Sequence, residues 1–132
     1  MHKTFLQLGS LFALLGVILG AFGAHGLERH LNADQIATFN TGVRYQFYHA
    51  FALLVVAILF APMKQDQLLT YAGWLFTVGI VFFSGSIYLL ACREMLGIAN
   101  WKWLGPITPI GGTLFIIGWG LLLVAAFRLT NN

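Results

Sequence analysis

Charged side chains are scarce in this sequence. Only 8% of its 132 residues are Asp, Glu, Lys or Arg, whereas a soluble domain typically carries about 25%. A chain with so few charges cannot cover a surface that faces water. A soluble helical bundle would also need a polar face on each helix at a period of 3.6 residues, and the apolar segments lack such a face. These absences exclude a soluble globular domain.

Cysteine and carboxylate side chains are equally few. Cys92 is the single cysteine, which excludes an internal disulfide and a multi-cysteine metal site. The four carboxylates fall in predicted loops or at helix ends, so no set of nucleophile, base and orienting acid is visible. His25 and His49 suit axial haem ligation between helices, but no further cofactor motif accompanies them. We therefore predict a protein that is not an enzyme and has no cofactor and no metal site.

Basic residues outnumber acidic residues by 7 to 4. They are scattered one or two to a loop and form no patch, so nucleic acid is not an expected partner. Membrane lipids are the expected partners, because long uncharged stretches separate the charges.

The sequence contains four such stretches, at residues 4–27, 45–63, 67–92 and 103–127. Each is long enough for a helix that crosses a hydrocarbon core of about 30 Å. Barrel strands would alternate in polarity, and these stretches do not. We predict an all-α integral membrane protein, an antiparallel bundle of four transmembrane helices in a single domain, residues 1–132. The predicted spans are residues 4–25, 43–61, 68–91 and 108–127.

The first stretch has an alternative interpretation as a cleaved signal peptide. Its apolar region is longer than the usual 7–15 residues of such a segment, so a retained first helix is favoured. The second helix is expected to begin at Ala33, because Asn32 and Gln35 have the spacing of a capping box. An amphipathic N-terminal part, up to about Tyr45, would then extend this helix. Thr108 and Pro109 predict the N-cap and first residue of the fourth helix.

Orientation in the membrane follows from the distribution of Lys and Arg. The side of the termini carries three of these residues and the other side four. If Arg44 and Arg93 lie at the membrane boundary, the opposite side retains only two. By the positive-inside rule, both termini are then expected in the cytoplasm, with the protein in the inner (cytoplasmic) membrane.

Small residues follow one face of the first helix and the first turn of the fourth. In lipid, such residues allow two backbones to approach closely. The partner helix lies either within this bundle or in a second subunit, so a homo-oligomer remains open. The predicted packing residues are Gly9, Ala13, Gly16, Gly20, Ala24, Gly111 and Gly112.

Polar residues within or near the spans cluster toward the side opposite the termini. They are His25, Arg44, Tyr48, His49, Ser84, Ser86, Tyr88 and Thr108. Polar groups at membrane depth are costly and are functional candidates, so we predict one polar pocket that these residues line. Each also has a structural interpretation: an arginine extends to the interface, tyrosines form an interfacial belt, and serines bond their own helix.

A pocket of this kind suits a lipid headgroup or a small amphiphile. Arginine beside hydroxyl groups binds a phosphate or carboxylate well. The leading prediction is a membrane protein that binds such a ligand, with a carrier role as its extension. The alternative is a structural or accessory membrane subunit that assembles through the glycine-rich first helix.

Four motifs in order resemble those of a known family. They are GAFGAHGL at residues 20–27, YQFYHA at 45–50, FSGSIY at 83–88 and ITPIGG at 107–112. The sequence is similar to the domain of unknown function 423 family, a group of small bacterial inner-membrane proteins. The resemblance implies a membrane protein with four spans. It supplies no activity, cofactor or catalytic residue, so the predicted site rests on the residues themselves.

Overall fold

Four helices account for most of the chain in a computed structural model, which describes residues 1–129. They are α1 (Lys3–His25), α2 (Ala33–Leu59), α3 (Gln67–Ala91) and α4 (Leu104–Leu129). No strand occurs within residues 1–129. All four helices are long and apolar enough to cross a membrane. The predicted fold class, an all-α membrane protein with four helices, is confirmed.

The predicted start of α2 is confirmed by a complete capping box. The Asn32 side chain accepts a hydrogen bond from the Gln35 amide at 2.9 Å, and the Gln35 side chain accepts one from the Asn32 amide at 2.9 Å. Asp66 caps α3 by accepting a hydrogen bond from the Leu68 amide at 2.8 Å. These side chains occupy backbone donors that the helix itself leaves without partners.

The predicted start of α4 is wrong. The helix begins at Leu104, and Pro109 lies inside it. Pro106, in the first turn, already satisfies the preference of proline for a helix start, because amide groups there have no carbonyl partner within the helix. Thr108 is therefore a helical residue and not an N-cap.

Helices that follow each other in the chain pack against each other, so α2 and α3 are central and α1 and α4 are peripheral. The paired residues run in opposite directions along α1 and α2. Gly9 meets Leu54 near the end of α2, whereas Gly23 meets Phe39 near its start. Between α1 and α3, the Phe5 ring fills the notch at Gly73, where an added Cβ would lie 2.5 Å from the ring.

The buried glycines of α1 differ in part from the predicted face. Gly9, Gly16 and Gly23 are buried at intervals of seven residues, the spacing of a seam between two left-handed supercoiled helices. Their neighbours are all on α2, so this seam lies inside the bundle. An added Cβ at Gly20 would lie 3.5 Å from Val43 of α2, whereas Ala13 is half-buried and Ala24 is exposed.

Candidate functional site

His49 is the most buried ionisable group among the predicted site residues, with 4% of its surface exposed. Its Nδ1 lies 2.7 Å from the carbonyl oxygen of Tyr45, and its Nε2 lies 3.1 Å from the indole Nε1 of Trp119. A carbonyl only accepts and an indole N–H only donates. The imidazole is therefore neutral in this arrangement, with its proton on Nδ1 and its Nε2 accepting from Trp119. Both ring nitrogens are occupied.

Aromatic rings surround this imidazole. The Phe115 ring stacks on it with ring centres 3.4 Å apart and planes 5° apart. Beside these rings, a groove of about 660 Å³ runs along the bundle between α2, α3 and α4. Its lining is almost entirely apolar and aromatic: Tyr45, Tyr48, His49, Phe83, Gly112, Phe115, Ile116 and Trp119.

Two tyrosines and one arginine lie on the exposed face of α2 beside this groove. Tyr45 packs on Phe83 with ring centres 4.9 Å apart, and 52% of the surface of Tyr48 is exposed. Arg44 is exposed and lies four residues before Tyr48, on the same helix face. Within residues 1–129, the guanidinium and the two hydroxyls make no hydrogen bond or ion pair. These are the polar groups at the groove that are available to a ligand.

Arg44 also lies well inside the bundle, away from the end of α1. The contact between Val43 and Gly20 places it level with a point five residues before His25, the last residue of α1. At 1.5 Å per residue, this depth is about 8 Å. An arginine at such a depth, facing away from the bundle, requires either an anionic partner or a side chain that extends to the interface.

A second polar cluster ties three helices together and includes a residue that the sequence analysis missed. Gln46 is buried; its amide Nε2 donates to the carbonyl of Phe12 in α1 at 2.8 Å, and its Oε1 accepts from the Tyr88 hydroxyl in α3 at 2.6 Å. The signal was available in the sequence, because Gln46 is an amide within an uncharged span. The predicted site contained only histidine, arginine and hydroxyl side chains, so this amide was not included.

The remaining predicted hydroxyl groups bond neighbouring helices. Ser84 donates to the carbonyl of Gly42 in α2 at 2.7 Å. The Ser86 hydroxyl forms a short hydrogen bond with the Thr108 hydroxyl, which joins α3 to α4. Inside a bundle such bonds satisfy polar groups that lipid cannot satisfy. These contacts connect helices, and Ser86 also donates to the Phe83 carbonyl of its own helix at 3.0 Å, as the structural interpretation of the serines predicted.

The structure therefore divides the eight predicted residues among separate places. His49 and Tyr48 line the groove, and Arg44 lies beside it. Ser84, Ser86, Tyr88 and Thr108 form contacts between helices. His25 is exposed at the end of α1, apart from His49. The sequence located these groups along each helix, but the rotation of each helix decided which groups meet.

Metal-binding and nucleophilic groups do not converge in the described part of the chain. No group of three or more His, Cys, Asp or Glu side chains is placed to hold a metal ion within residues 1–129.

Cys92, just beyond α3, is buried, and burial raises the pKa of its thiol. Asp66 pairs with Arg128 at 3.2 Å near the chain termini, far along the bundle from the groove.

Comparisons with known proteins identify the group to which this chain is related. A family model described as "Protein of unknown function (DUF423)" matches residues 19–112. The UPF0382 membrane protein YwdK of Bacillus subtilis is 46% identical over 126 residues, which cover 96% of this chain and 98% of the relative. The UPF0382 membrane protein SAB0533 of Staphylococcus aureus is 42% identical, over 96% of this chain and 97% of the relative. No solved structure matches the chain. The chain therefore belongs to the DUF423 family, whose curated relatives are named as membrane proteins.

Proposed function

We propose that this protein binds an amphiphile with an anionic headgroup in the lateral groove between α2, α3 and α4. The observation that carries the proposal is the combination of an open aromatic groove with an exposed arginine, unpaired within residues 1–129, one helical turn before the lining residue Tyr48. The apolar part of the ligand lies along Phe83, Phe115 and Ile116. Its headgroup meets Arg44 and the hydroxyl of Tyr48.

The groove suits an apolar chain because its surface is preformed by packed rings. His49 fixes Trp119 by a hydrogen bond and Phe115 by stacking, so two walls of the groove do not need to rearrange on binding. A preformed apolar site loses less conformational entropy when it binds its ligand. His49 thus acts as a positioning residue, since neither of its nitrogens is free to contact a ligand.

Arg44 gives the site its preference for anionic ligands. Its side chain is long enough to reach from its depth toward the headgroup region. A guanidinium pairs with phosphate or carboxylate oxygens through two parallel hydrogen bonds. A phosphodiester or carboxylate at the membrane boundary would supply the partner that Arg44 lacks within residues 1–129.

The test compares two glycines of α4. An added Cβ at Gly112 would make only ordinary contact with Phe83 at 3.7 Å, and a longer side chain there would fill the groove. Gly120 has open space around it and does not line the groove, so Gly120→Leu is the matched control. Each variant is purified in mild detergent, and retained amphiphiles are extracted and quantified by mass spectrometry.

We expect wild type and Gly120→Leu to retain the amphiphile in a fixed molar ratio to protein. Gly112→Leu should lose the amphiphile, and its unfolding temperature should equal that of wild type. Arg44→Gln should lose anionic species selectively, whereas Arg29→Gln should not. Equal retention in Gly112→Leu and Gly120→Leu would refute the groove as the binding site.

A carrier role is the extension of this proposal. Because the groove opens sideways, a bound amphiphile can enter from the lipid without crossing an aqueous path. Proteoliposomes with a fluorescent anionic phospholipid in one leaflet test this role. Faster appearance of the label in the other leaflet, lost in Gly112→Leu but not in Gly120→Leu, is the expected result.

A further inference from the structure

A second cavity lies at the corner between the end of α3 and the start of α4. Its volume is about 230 Å³, and its lining includes Arg93, Trp101, Lys102 and Gly105. It shares no residue with the groove. The two sites can therefore be tested separately.

The lining of this corner cavity contains two cations and no carboxylate. Arg93 and Lys102 are exposed, and neither forms an ion pair within residues 1–129. Arg93 also borders a neighbouring cavity that contains Asp34 and Glu94, but it forms no ion pair with either of them, and neither carboxylate lines the corner cavity. Two cations that face one cavity without a carboxylate favour an anion there.

Tryptophans place the cavity at the membrane boundary. Trp101 and Trp103 stack with ring centres 5.4 Å apart, and indole rings are enriched at the level of lipid headgroups. Leu90 and Leu104 also line the cavity and give it an apolar part beside the cations. A ligand that fits has a negative charge for the cations and a hydrocarbon part for the apolar lining.

We infer that this corner cavity binds the phosphodiester headgroup of an anionic phospholipid through Arg93 and Lys102. The apolar wall and the neighbouring tryptophans favour a membrane lipid over a free anion, because a soluble anion gains nothing from them. The inference does not depend on the proposed amphiphile in the groove.

The experiment uses delipidated full-length protein in detergent and native mass spectrometry. Phosphatidylglycerol, which carries one negative charge, is compared with phosphatidylcholine, which is neutral overall. The test variant is Arg93→Gln/Lys102→Gln. The control is Arg29→Gln/Lys64→Gln, which removes the same charge from two exposed loop residues that do not line this cavity.

Each cation near the membrane surface contributes an attraction equivalent to about fivefold in affinity for an anionic lipid. The phosphatidylglycerol at the corner cavity should therefore bind roughly 25-fold more weakly in the test variant than in wild type, while lipid held in the groove stays bound. The control variant should retain wild-type binding, and phosphatidylcholine should bind weakly to all three proteins.

Two outcomes would overturn the inference. Equal phosphatidylglycerol binding by the test and control variants would show that the cations do not form a site. Full displacement of phosphatidylglycerol by an equal free concentration of inorganic phosphate would show a phosphate site without lipid selectivity. Loss of the groove ligand in Gly112→Leu leaves this result unaffected, so failure of one proposal is distinguishable from failure of the other.

Discussion

The indole N–H of Trp119 donates to Nε2 of His49 at 3.1 Å and connects the peripheral helix α4 to the central helix α2. The stack of His49 on Phe115 lies one turn away on α4 and reinforces this connection. These two contacts hold Phe115 and Trp119, which both line the groove. Changes at Trp119 should therefore affect both stability and ligand retention.

Trp119→Phe should lower the free energy of unfolding by about 1 kcal/mol, because Nε2 of His49 loses its donor inside the bundle. Titration with a denaturing detergent, followed by circular dichroism, measures this change. Trp103→Phe is the control, since the Trp103 indole makes no hydrogen bond within residues 1–129. A similar loss in both variants would assign the effect to ring size and not to the hydrogen bond.

Gly111 and Gly112 are adjacent but should respond differently to alanine. A Cβ at Gly111 would collide with the backbone of Phe83, which cannot move as an isolated side chain can. Gly111→Ala should therefore force α3 and α4 apart and cost about 1–3 kcal/mol. Gly112→Ala should be neutral or slightly stabilising, because alanine favours the helix. Equal unfolding curves for the two variants would contradict the close contact at Gly111.

Gln46 and Tyr88 should be energetically coupled. A double-mutant cycle with Gln46→Leu and Tyr88→Phe separates the interaction from the effects of each change alone. We expect a coupling energy of about 0.5–1.7 kcal/mol, the range of hydrogen bonds between membrane helices. Gln46→Leu with Trp103→Phe is the control cycle and should give no coupling. Strict additivity in both cycles would assign Gln46 to the Phe12 carbonyl alone.

Cys92 should react slowly with alkylating reagents. Only 7% of its surface is exposed, and burial raises the pKa of its thiol, so both access and the thiolate fraction are reduced. The rate of Cys92 alkylation should rise with pH. At each pH it should stay below the rate for the exposed cysteine in the double variant Cys92→Ala/Asn100→Cys. Since the folded state holds the thiol proton more tightly than the unfolded state, the free energy of unfolding should also fall as pH rises through the ordinary thiol range. A rate equal to that of the Asn100→Cys protein would show that the thiol is accessible.

Reporter fusions should place the loop near Asp66 in the cytoplasm and the loop near Asn100 on the other side. A fusion at Asn132, which lies outside the described residues, should agree with the fusion near Asp66. The basis is the excess of Lys and Arg on the side of the termini once Arg44 and Arg93 are assigned to the boundary. A periplasmic report from the fusion near Asp66 would reverse the orientation.

Helix number, helix type and the start of α2 follow from local rules. The uncharged stretches set the helices, because lipid offers no partner for an unpaired backbone amide. Asn32 and Gln35 determine the start of α2 through contacts within four residues. The start of α4 was predicted wrongly because Pro106 and Pro109 are both compatible with a helix start. The dipeptide Thr108–Pro109 alone does not decide between them.

The sequence by itself therefore determined that this is a membrane protein with four helices, and it located the polar groups along each helix. Only the tertiary structure decided which of them meet. His49 reaches Trp119, Tyr88 reaches Gln46 and Ser86 reaches Thr108, while His25 and Arg44 remain exposed. The physical reason is that the rotation of each helix depends on close packing at glycine notches such as Gly73 and Gly111. Such packing is a property of two surfaces together and cannot be determined from either helix alone.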